Sequence, residues 1–417
     1  MSRPSSDRRP LVDASPSRVL AELDELRALT GDAAGAQRVA WTPTWARARA
    51  WLRERLAELP VEVEVDEAGN LWATLGAADE RAIVLGSHLD SVPDGGRLDG
   101  CLGVLAALEV LRALAAGPRP PRAVRLVDWA DEEGARFGRS LFGSSAVAGL
   151  LDLDEVRGLI DAAGTRLPDA LAEHGVALDD APRAAGRLRD TAAYVELHIE
   201  QGPALEDAGL ALGVVDTVFG VRRHRVRFTG RASHAGSTPM PLRRDALLSA
   251  ARLALAAREG AVRHGGVATV GRLDVAPGIP TAVPGEAVLV LDQRHRDDEA
   301  LELMLDDARA QAAAIAADER TTVDWTTLQT GAPAPFDARL VALARECVHE
   351  VAGDGAVLPS GALHDAAMVA RAGVPSVMLF VQSIGGVSHN RIEDSHREHI
   401  ELGVRALEAL ARRLVME

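Results

Sequence analysis

The chain has 417 residues, 47% apolar and 26% charged, a length that predicts two domains rather than one. Its formal net charge of −15 and low aromatic content argue against binding to nucleic acid or to an anionic membrane. It contains no lysine, which excludes Schiff-base chemistry and the lysine-containing phosphate loop.

In chain order, the first ten residues, MSRPSSDRRP, predict a frayed polar tail rather than a signal peptide. Residues 17–59 carry an apolar periodicity that predicts helix, and the alternation in 61–74 predicts a hairpin. The next predicted elements are a strand at 82–86, a helix at 102–116, a strand at 123–129, a polar, helix-leaning surface excursion at 151–190 and a strand at 193–197. Because strands alternate with helices, this part predicts a doubly wound, mainly parallel α/β sheet.

From residue 213 the order of elements changes to that of a compact α+β unit. Its predicted elements are strands at 221–229, 267–273, 287–294 and 321–329 and helices at 244–258 and 299–317. The helix at 338–351 and the apolar strand at 376–381 then resume the first pattern. We therefore predict an α/β catalytic domain of residues 1–212 and 330–417, interrupted by an inserted domain of residues 213–329.

Histidine and acidic residues follow three separate strands of the predicted sheet. His88 follows the first strand, Glu133 the second and His198 the third, and Asp99 lies in a Gly-rich turn before a helix. In an open α/β sheet the carboxyl ends of the strands line the ligand crevice, so these side chains are expected to gather there. Imidazole and carboxylate ligands without thiolate are typical of zinc- or manganese-type sites.

Each of these residues also has an ordinary structural interpretation. A single histidine at a strand end is more often a hydrogen-bonded surface residue, and adjacent glutamates are often solvent-exposed. The succession of H-x-D, D-G-x-x-G-V, D-E-E-G and H-x-E, all near strand ends, favours a metal site. A serine nucleophile is disfavoured because no G-x-S-x-G motif is present. Cys101 and Cys347 are interpreted as buried thiols of a reducing compartment, which predicts a cytoplasmic protein. No apolar run in the sequence is long enough to predict a membrane span.

The longer motifs resemble one known family. They are GSHLDSVPDGGRLDGCLGV, DEEGARF, FGSSAVAG, ELHIEQGPALE, GRASHAGSTPMPLRRDA, SGALHDA and GGVSHN. Together they closely resemble the hydantoinase/carbamoylase family of di-metal amidohydrolases, within the clan of zinc aminoacylases and carboxypeptidases. The resemblance runs from about residue 35 to the C-terminus.

This resemblance implies two divalent metal ions per subunit, zinc first, with manganese, cobalt or nickel as alternatives. The implied ligands are His88 and His198 for one ion, Glu133 and His389 for the other, and Asp99 as the bridge. Glu132 matches the general base that activates water, and Asp90 matches the carboxylate that orients His88.

The resemblance also implies residues that bind the substrate, which would be a small ureido or N-carbamoyl acid. Gln201, Arg294, Thr281 and His364 match substrate-binding positions, and His234 matches a residue that stabilises the oxyanion from the partner subunit. Relatives commonly carry Asn where this chain has Thr281, and a hydroxyl offers fewer hydrogen bonds than an amide. The inserted domain resembles a dimerisation domain, so a homodimer is predicted.

Three other functions stay open at this point. Allantoate is the alternative substrate to an N-carbamoyl-L-amino acid, and an aminoacylase or dipeptidase of the same clan is a further alternative. A binding protein without activity would have no need of the base Glu132.

Overall fold

The computed structural model describes residues 11–76 and 81–417, so the tail predicted at 1–10 lies outside the described residues. The chain divides into two compact units. Unit 1 comprises Met1–Asp216 and Pro335–Glu417, and unit 2 comprises Thr217–Ala334. These limits lie a few residues beyond the predicted ones. The role of unit 2 in dimerisation stays a prediction.

The secondary structure of the described residues alternates strands and helices through most of unit 1. The strands are β1 (Val61–Val65), β2 (Leu71–Leu75), β3 (Ala82–His88), β4 (Val124–Trp129), β5 (Thr191–Ile199), β6 (Leu212–Val218), β7 (Gly220–Thr229), β8 (Ser233–His234), β9 (Val267–Ala276), β10 (Ala282–Val283), β11 (Glu286–His295), β12 (Thr322–Gly331), β13 (Ala334–Pro335), β14 (Ala356–Ser360) and β15 (Ser376–Val381). The α-helices are α1 (Pro16–Thr30), α2 (Pro43–Leu56), α3 (Cys101–Ala116), α4 (Phe142–Val147), α5 (Leu153–Arg157), α6 (Leu167–Glu173), α7 (Ala204–Ala208), α8 (Ala246–His264), α9 (Asp298–Glu319), α10 (Ala338–Ala352), α11 (Asp365–Arg371) and α12 (Arg397–Met416).

The main sheet of unit 1 has the order β1-β2-β4-β3-β5-β15-β6-β13, and β14 pairs with β6. Its central strands β4, β3, β5 and β15 run parallel to one another. Antiparallel pairs flank this centre, with β2 on β4 at one side and β6 on β15 at the other. The predicted doubly wound, mainly parallel α/β sheet is confirmed for the centre, which is the part that carries the candidate site.

Both faces of the parallel centre are covered, as β5 shows. Val195 and Leu197 point to one face, where they join the main hydrophobic core formed with α3 and α12. Glu196 and His198 point to the other face because side chains alternate along a strand. On that face the backbone N–H of Ala366, at the start of α11, donates to Glu196 at 3.2 Å. Helices on both faces explain why the central strands are apolar almost throughout.

The segment predicted as a polar, helix-leaning surface excursion, 151–190, contains short helices. It contains α5, α6 and a 3-10 helix at Leu178–Gly186. Val156, Leu171 and Ala181 are fully buried among these short helices. The prediction was wrong in treating the whole segment as surface, because its few apolar residues are spaced to bury one side of each turn.

Unit 2 is an antiparallel sheet in the order β12-β7-β11-β9, with α8 and α9 packed on one face. Along β11, buried and half-buried side chains alternate at every residue, which is the pattern of a sheet covered on one side. The Asp245 carboxylate caps α8 by accepting from the N–H groups of Leu247 and Leu248, and Gly265 ends it in the left-handed conformation. No helix in residues 11–76 and 81–417 combines the length and apolarity needed to cross a membrane.

Candidate metal centre

The parallel strands of unit 1 deliver the candidate ligands to one edge of the sheet. His88 is the last residue of β3, and His198 is the next to last of β5. The turn that carries Glu132 and Glu133 begins directly after β4. Because these strands run parallel, their carboxyl ends lie at the same edge. The edge predicted from the sequence therefore carries side chains from all three strands.

The first ligand group consists of His88, Asp99 and His198, whose ligand atoms all lie within 4.8 Å of one another. The Oδ1 atom of Asp99 lies 3.2 Å from His198 Nε2 and 3.8 Å from His88 Nε2. All three side chains are buried. Two imidazoles and a carboxylate in this arrangement suit a divalent cation.

The second group consists of Asp99, Glu133 and His389, whose ligand atoms also lie within 4.8 Å of one another. His389 Nε2 lies 3.3 Å from Asp99 Oδ2 and 3.3 Å from Glu133 Oε2. The two oxygens of Asp99 thus face different groups, Oδ1 toward the first and Oδ2 toward the second. A carboxylate in this position can bridge two cations.

The buried imidazoles of the first group are held in the form that a metal needs. His198 Nδ1 lies 2.9 Å from the carbonyl oxygen of Ile199, and His88 Nδ1 lies 3.1 Å from that of Asp90. Both carbonyl groups can accept a proton carried on Nδ1, and in that tautomer the lone pair is on Nε2, which faces Asp99. The N–H of Gly100 donates to that lone pair of His198 at 3.3 Å.

Gly100 lets the Asp99 turn approach His88 closely. It has a φ of 66°, and a Cβ there would lie 2.3 Å from the carbonyl oxygen of His88 and 2.5 Å from its ring. Any larger residue would collide with the ligand. The turn also begins α3, so the same glycine starts the buried helix behind the site.

Asp90 organises the turn that carries the two glutamates. Its carboxylate accepts the N–H of Glu132 at 3.2 Å and that of Glu133 at 3.1 Å, and Oδ1 lies 3.5 Å from His88 Nδ1. One side chain therefore orients a ligand and fixes the backbone of its neighbours. Next to it, Asp131 accepts from Trp41 Nε1 at 2.8 Å and has a φ of 58°.

Glu132 lies beside the ligands but belongs to neither group. Its Oε2 atom is 3.8 Å from His88 Nε2, and the residue is almost fully buried. Burial raises the pKa of Glu132 well above its ordinary value, although His88 opposes this effect. A buried carboxyl with a raised pKa beside a cation site is suited to accept and release a proton.

Asp99 itself is held in place by polar side chains. Gln201 Nε2 donates to Oδ2 at 3.0 Å, and the Ser388 hydroxyl lies 3.2 Å from the same atom. Burial acts to raise the pKa of Asp99, but the adjacent imidazoles of His198 and His389 outweigh this effect and hold the pKa well below the ordinary value. Gln201, predicted to bind substrate, therefore contacts the bridging carboxylate directly.

A second buried layer lies behind His198. The ring of His364 lies 4.6 Å from that of His198, and its Nε2 is 2.9 Å from Ser360 Oγ. Glu196 forms a third possible ligand group with these two histidines and accepts from Ser87 at 2.8 Å. Burial lowers the pKa of His364 well below its ordinary value, and the neighbouring His198 adds to that effect. Sequence reasoning missed Glu196, although it lies two residues before His198.

The remaining predicted site residues belong to unit 2. His234 on β8 pairs with Ala282 on β10, and the carbonyl of Thr281 accepts from Ala235 N–H, so His234 and Thr281 are neighbours. Both are exposed. Arg294 is near the opposite end of β11, where it pairs its Nε with Asp292 Oδ1 at 2.8 Å. The structure thus groups His234 with Thr281 and separates both from Arg294.

The thiols take no part in this site. Both cysteines are free and buried, and burial raises the pKa of Cys101. For Cys347, burial raises the pKa to about 11. Their interpretation as packing residues fits these surroundings.

The fold and the two ligand groups suit a hydrolase that binds divalent metal ions. The chain belongs to peptidase family M20/M25/M40, whose model matches residues 84–413. Membership of this family and the two ligand groups that share Asp99 indicate a binuclear site for divalent metal ions. The donor set of imidazoles and carboxylates fits such ions.

More specific similarity points within that family. The chain is 35% identical to allantoate amidohydrolase of Escherichia coli (strain K12) over 380 residues, 90% of this chain and 92% of that protein. It is 34% identical to N-carbamoyl-L-amino-acid amidohydrolase of Paenarthrobacter aurescens over 412 residues, 96% and 100% of the two chains. The crystal structure of a hydantoinase/carbamoylase family amidase from Burkholderia multivorans matches with a TM-score of 0.90 and 34% identity, covering 98% and 100%. The resemblance seen in the sequence motifs is confirmed.

Proposed function

We propose that this protein is a metal-dependent amidohydrolase that cleaves the carbamoyl C–N bond of an N-carbamoyl-L-amino acid or a related ureido acid. The observation that carries the proposal is Asp99, whose two oxygens face two separate ligand groups beside the buried carboxyl of Glu132. Relatives of similar length and fold are named as enzymes of this type. Hydrolysis would release the free amine, ammonia and carbon dioxide.

In the proposed mechanism, the bound divalent ions supply Lewis acidity toward the scissile carbonyl and the attacking water. Glu132 accepts the proton of that water and passes it to the leaving nitrogen. The ions would be held by the two ligand groups, His88, Asp99 and His198 on one side and Asp99, Glu133 and His389 on the other. Asp90 holds the His88 ring and the backbone of Glu132 in position through the contacts described above.

Five further residues are proposed to bind the substrate or its tetrahedral intermediate. Arg294 would bind the substrate carboxylate with two parallel hydrogen bonds, in exchange for its present ion pair with Asp292. Gln201 and His364 would contact the ureido group, and Thr281 would donate one hydrogen bond. His234 would stabilise the oxyanion of the tetrahedral intermediate.

Two subunits are needed if all of these groups act together. Eight residues of β11 separate Glu286 from Arg294, which is roughly 26 Å at 3.3 Å per residue, and the segments that carry Thr281 and His234 join β11 and β7 at the Glu286 end. No small ureido acid can contact both ends of that strand. We therefore propose a homodimer in which His234 and Thr281 serve the site of the partner subunit.

The surface of unit 2 supports this assembly. Leu248, Leu255 and Val262 recur every seven residues on α8 and are 43%, 61% and 76% exposed, so they form an apolar stripe on one face of the helix. On the adjacent edge strand β9, Val267 and Leu273 are also exposed. An apolar stripe beside an open strand edge is suited to pack against a second copy about a two-fold axis.

Zinc is the proposed metal, because the three imidazoles and two carboxylates of the two groups match its common ligands, and manganese, cobalt or nickel would also bind. A cytoplasmic location is likewise proposed, from the buried free thiols.

Allantoate is the second candidate substrate, favoured by the 35% identity to the Escherichia coli enzyme. An aminoacylase or dipeptidase activity is a more distant alternative within the same clan.

A substrate panel distinguishes these functions. Metal-reconstituted protein would be incubated with N-carbamoyl-L-methionine, allantoate, N-acetyl-L-methionine and a dipeptide, and ammonia and free amine would be measured. We expect ammonia from one of the two ureido substrates and little product from the acetyl or peptide substrates. If fully metal-loaded protein hydrolyses no member of a broad ureido panel, the proposed function is wrong.

A further inference from the structure

The buried carboxylate of Glu393 contacts the turn that carries Asp99, the proposed bridging ligand. Glu393 is 3% exposed, and its Oε1 atom accepts the backbone N–H groups of Leu98 and Asp99, each at 3.1 Å. A turn brings it there, with Glu393 N–H donating to the carbonyl of Asn390 at 2.9 Å. The side chain of Glu393 therefore holds the backbone of Leu98 and Asp99 in place.

The other oxygen of Glu393 reaches the Asp99 side chain through a hydroxyl. Ser388 Oγ lies 3.0 Å from Glu393 Oε2 and 3.2 Å from Asp99 Oδ2, and it accepts from Gln201 Nε2 at 3.0 Å. Ser388 immediately precedes the ligand His389. One carboxylate thus connects the turn that carries the bridging ligand to the loop that carries the ligand of the second group.

Two further features indicate that this connection is a specific one. A Cβ at Gly96 would lie 2.0 Å from Glu393 Oε1, so the Asp99 turn leaves room for this carboxylate. Arg97 of the same turn pairs with Asp394, the next residue after Glu393, at 2.8 Å. The turn and the loop are therefore held together by adjacent acidic residues, one buried and one at the surface.

We propose that Glu393 is a positioning residue for the bridging ligand, and that it sets the affinity of the second metal position, formed by Asp99, Glu133 and His389. Removing its acceptors would release the Asp99 backbone and the Ser388 hydroxyl together. The geometry of His88 and His198 does not depend on Glu393, because their Nδ1 atoms are held by other carbonyl groups. The effect should therefore fall on the second position more than on the first. This inference rests on the proposed metal centre but not on the identity of the substrate.

The test is a metal titration of variants. Metal-free protein would be titrated with Co²⁺, followed by its visible absorption and by calorimetry, with metal content measured after desalting. For Glu393→Ala we expect the weaker binding step to lose about 10- to 100-fold in affinity while the tighter step changes little. For Glu393→Gln, whose amide oxygen can still accept both N–H groups, we expect recovery to within about fivefold of wild type. Glu398→Ala, which removes an exposed carboxylate of α12, is the matched control and should leave both steps unchanged.

The kinetic counterpart is a fall in kcat of Glu393→Ala with a nearly constant KM, because metal occupancy and not substrate contact is changed. If folded Glu393→Ala binds both ions as wild type does, or if Glu393→Gln is as impaired as Glu393→Ala, the inference is wrong. Should Glu393→Ala not fold, Ser388→Ala serves in its place: weakened binding of the second ion supports the inference, and unchanged binding overturns it. A wild-type protein that binds fewer than two ions would instead refute the proposed metal centre itself.

Discussion

Glu132 and Glu133 are adjacent in the chain, yet their carboxylates have different surroundings. Glu133 Oε2 lies 3.3 Å from Nε2 of the ligand His389, whereas Glu132 Oε2 lies 3.8 Å from Nε2 of His88. For Glu132→Gln we expect kcat to fall by about 10²- to 10⁴-fold with two ions still bound, because the amide cannot accept the proton of water. For Glu133→Gln we expect loss of one ion. Steady-state kinetics with metal analysis measures both, and wild-type turnover by Glu132→Gln would show that the assigned base is wrong.

Thr281 is the predicted substrate-binding position at which the family resemblance leads us to expect asparagine. Its carbonyl is already fixed by Ala235 N–H at 2.8 Å, so a substitution there changes only the exposed side chain. We expect Thr281→Asn to lower KM for an N-carbamoyl substrate by about fivefold, since the amide adds one hydrogen bond. Thr326→Asn, at another exposed threonine of unit 2, is the control. Unchanged KM values across the ureido panel would exclude Thr281 from the binding site.

At the scale of elements, the junction of the Asp99 turn with α3 depends on a single glycine. We expect Gly100→Ala to lower the free energy of unfolding by about 1–3 kcal/mol and to reduce metal content, because the new methyl would collide with His88. Gly186→Ala is a matched control, since nothing lies within 4 Å of a Cβ there. Thermal unfolding and metal analysis measure the outcome, and equal stability of the two variants would contradict this account.

The central strands could be predicted from the sequence because they are short apolar runs covered on both faces. The strands predicted at 82–86 and 193–197 correspond to Ala82–His88 and Thr191–Ile199, with ends that extend into polar ligand residues. The edge strand β14 was missed, since its residues are mostly half-buried and carry no clear alternation. Periodicity identifies an element only where its burial is uniform or regularly alternating.

The candidate site, like the strands, could be predicted only in part from the sequence. Motifs that are local in sequence were enough to predict that His88, Asp99, Glu133 and His198 gather at one edge of the sheet. The supporting residue Glu393 could not be found in this way, because it contacts Asp99 from 294 positions away. Its only signal in the sequence is its place four residues after His389, in a segment that otherwise resembles a loop.

At the scale of the whole molecule, the apolar stripe of α8 is predicted to be covered in a dimer. For Leu255→Glu we expect dissociation to a monomer with little activity, because a buried charge at the interface would be left unpaired. Leu150→Glu, at a similarly exposed leucine of unit 1, should remain a dimer. Light scattering with activity measurement decides between them, and a fully active Leu255→Glu monomer would contradict the proposed role of His234.

The separation of His234 from Arg294 along β11 has a genetic consequence. A His234→Ala chain and a Glu132→Gln chain would each be inactive alone, yet a mixed dimer contains one site with every group intact. Random exchange of subunits would restore about a quarter of wild-type activity, since half of the dimers are mixed and each has one working site. If His234 served its own subunit, no dimer would work and no activity would return. Two dead alleles in one cell would then complement each other only under the shared arrangement.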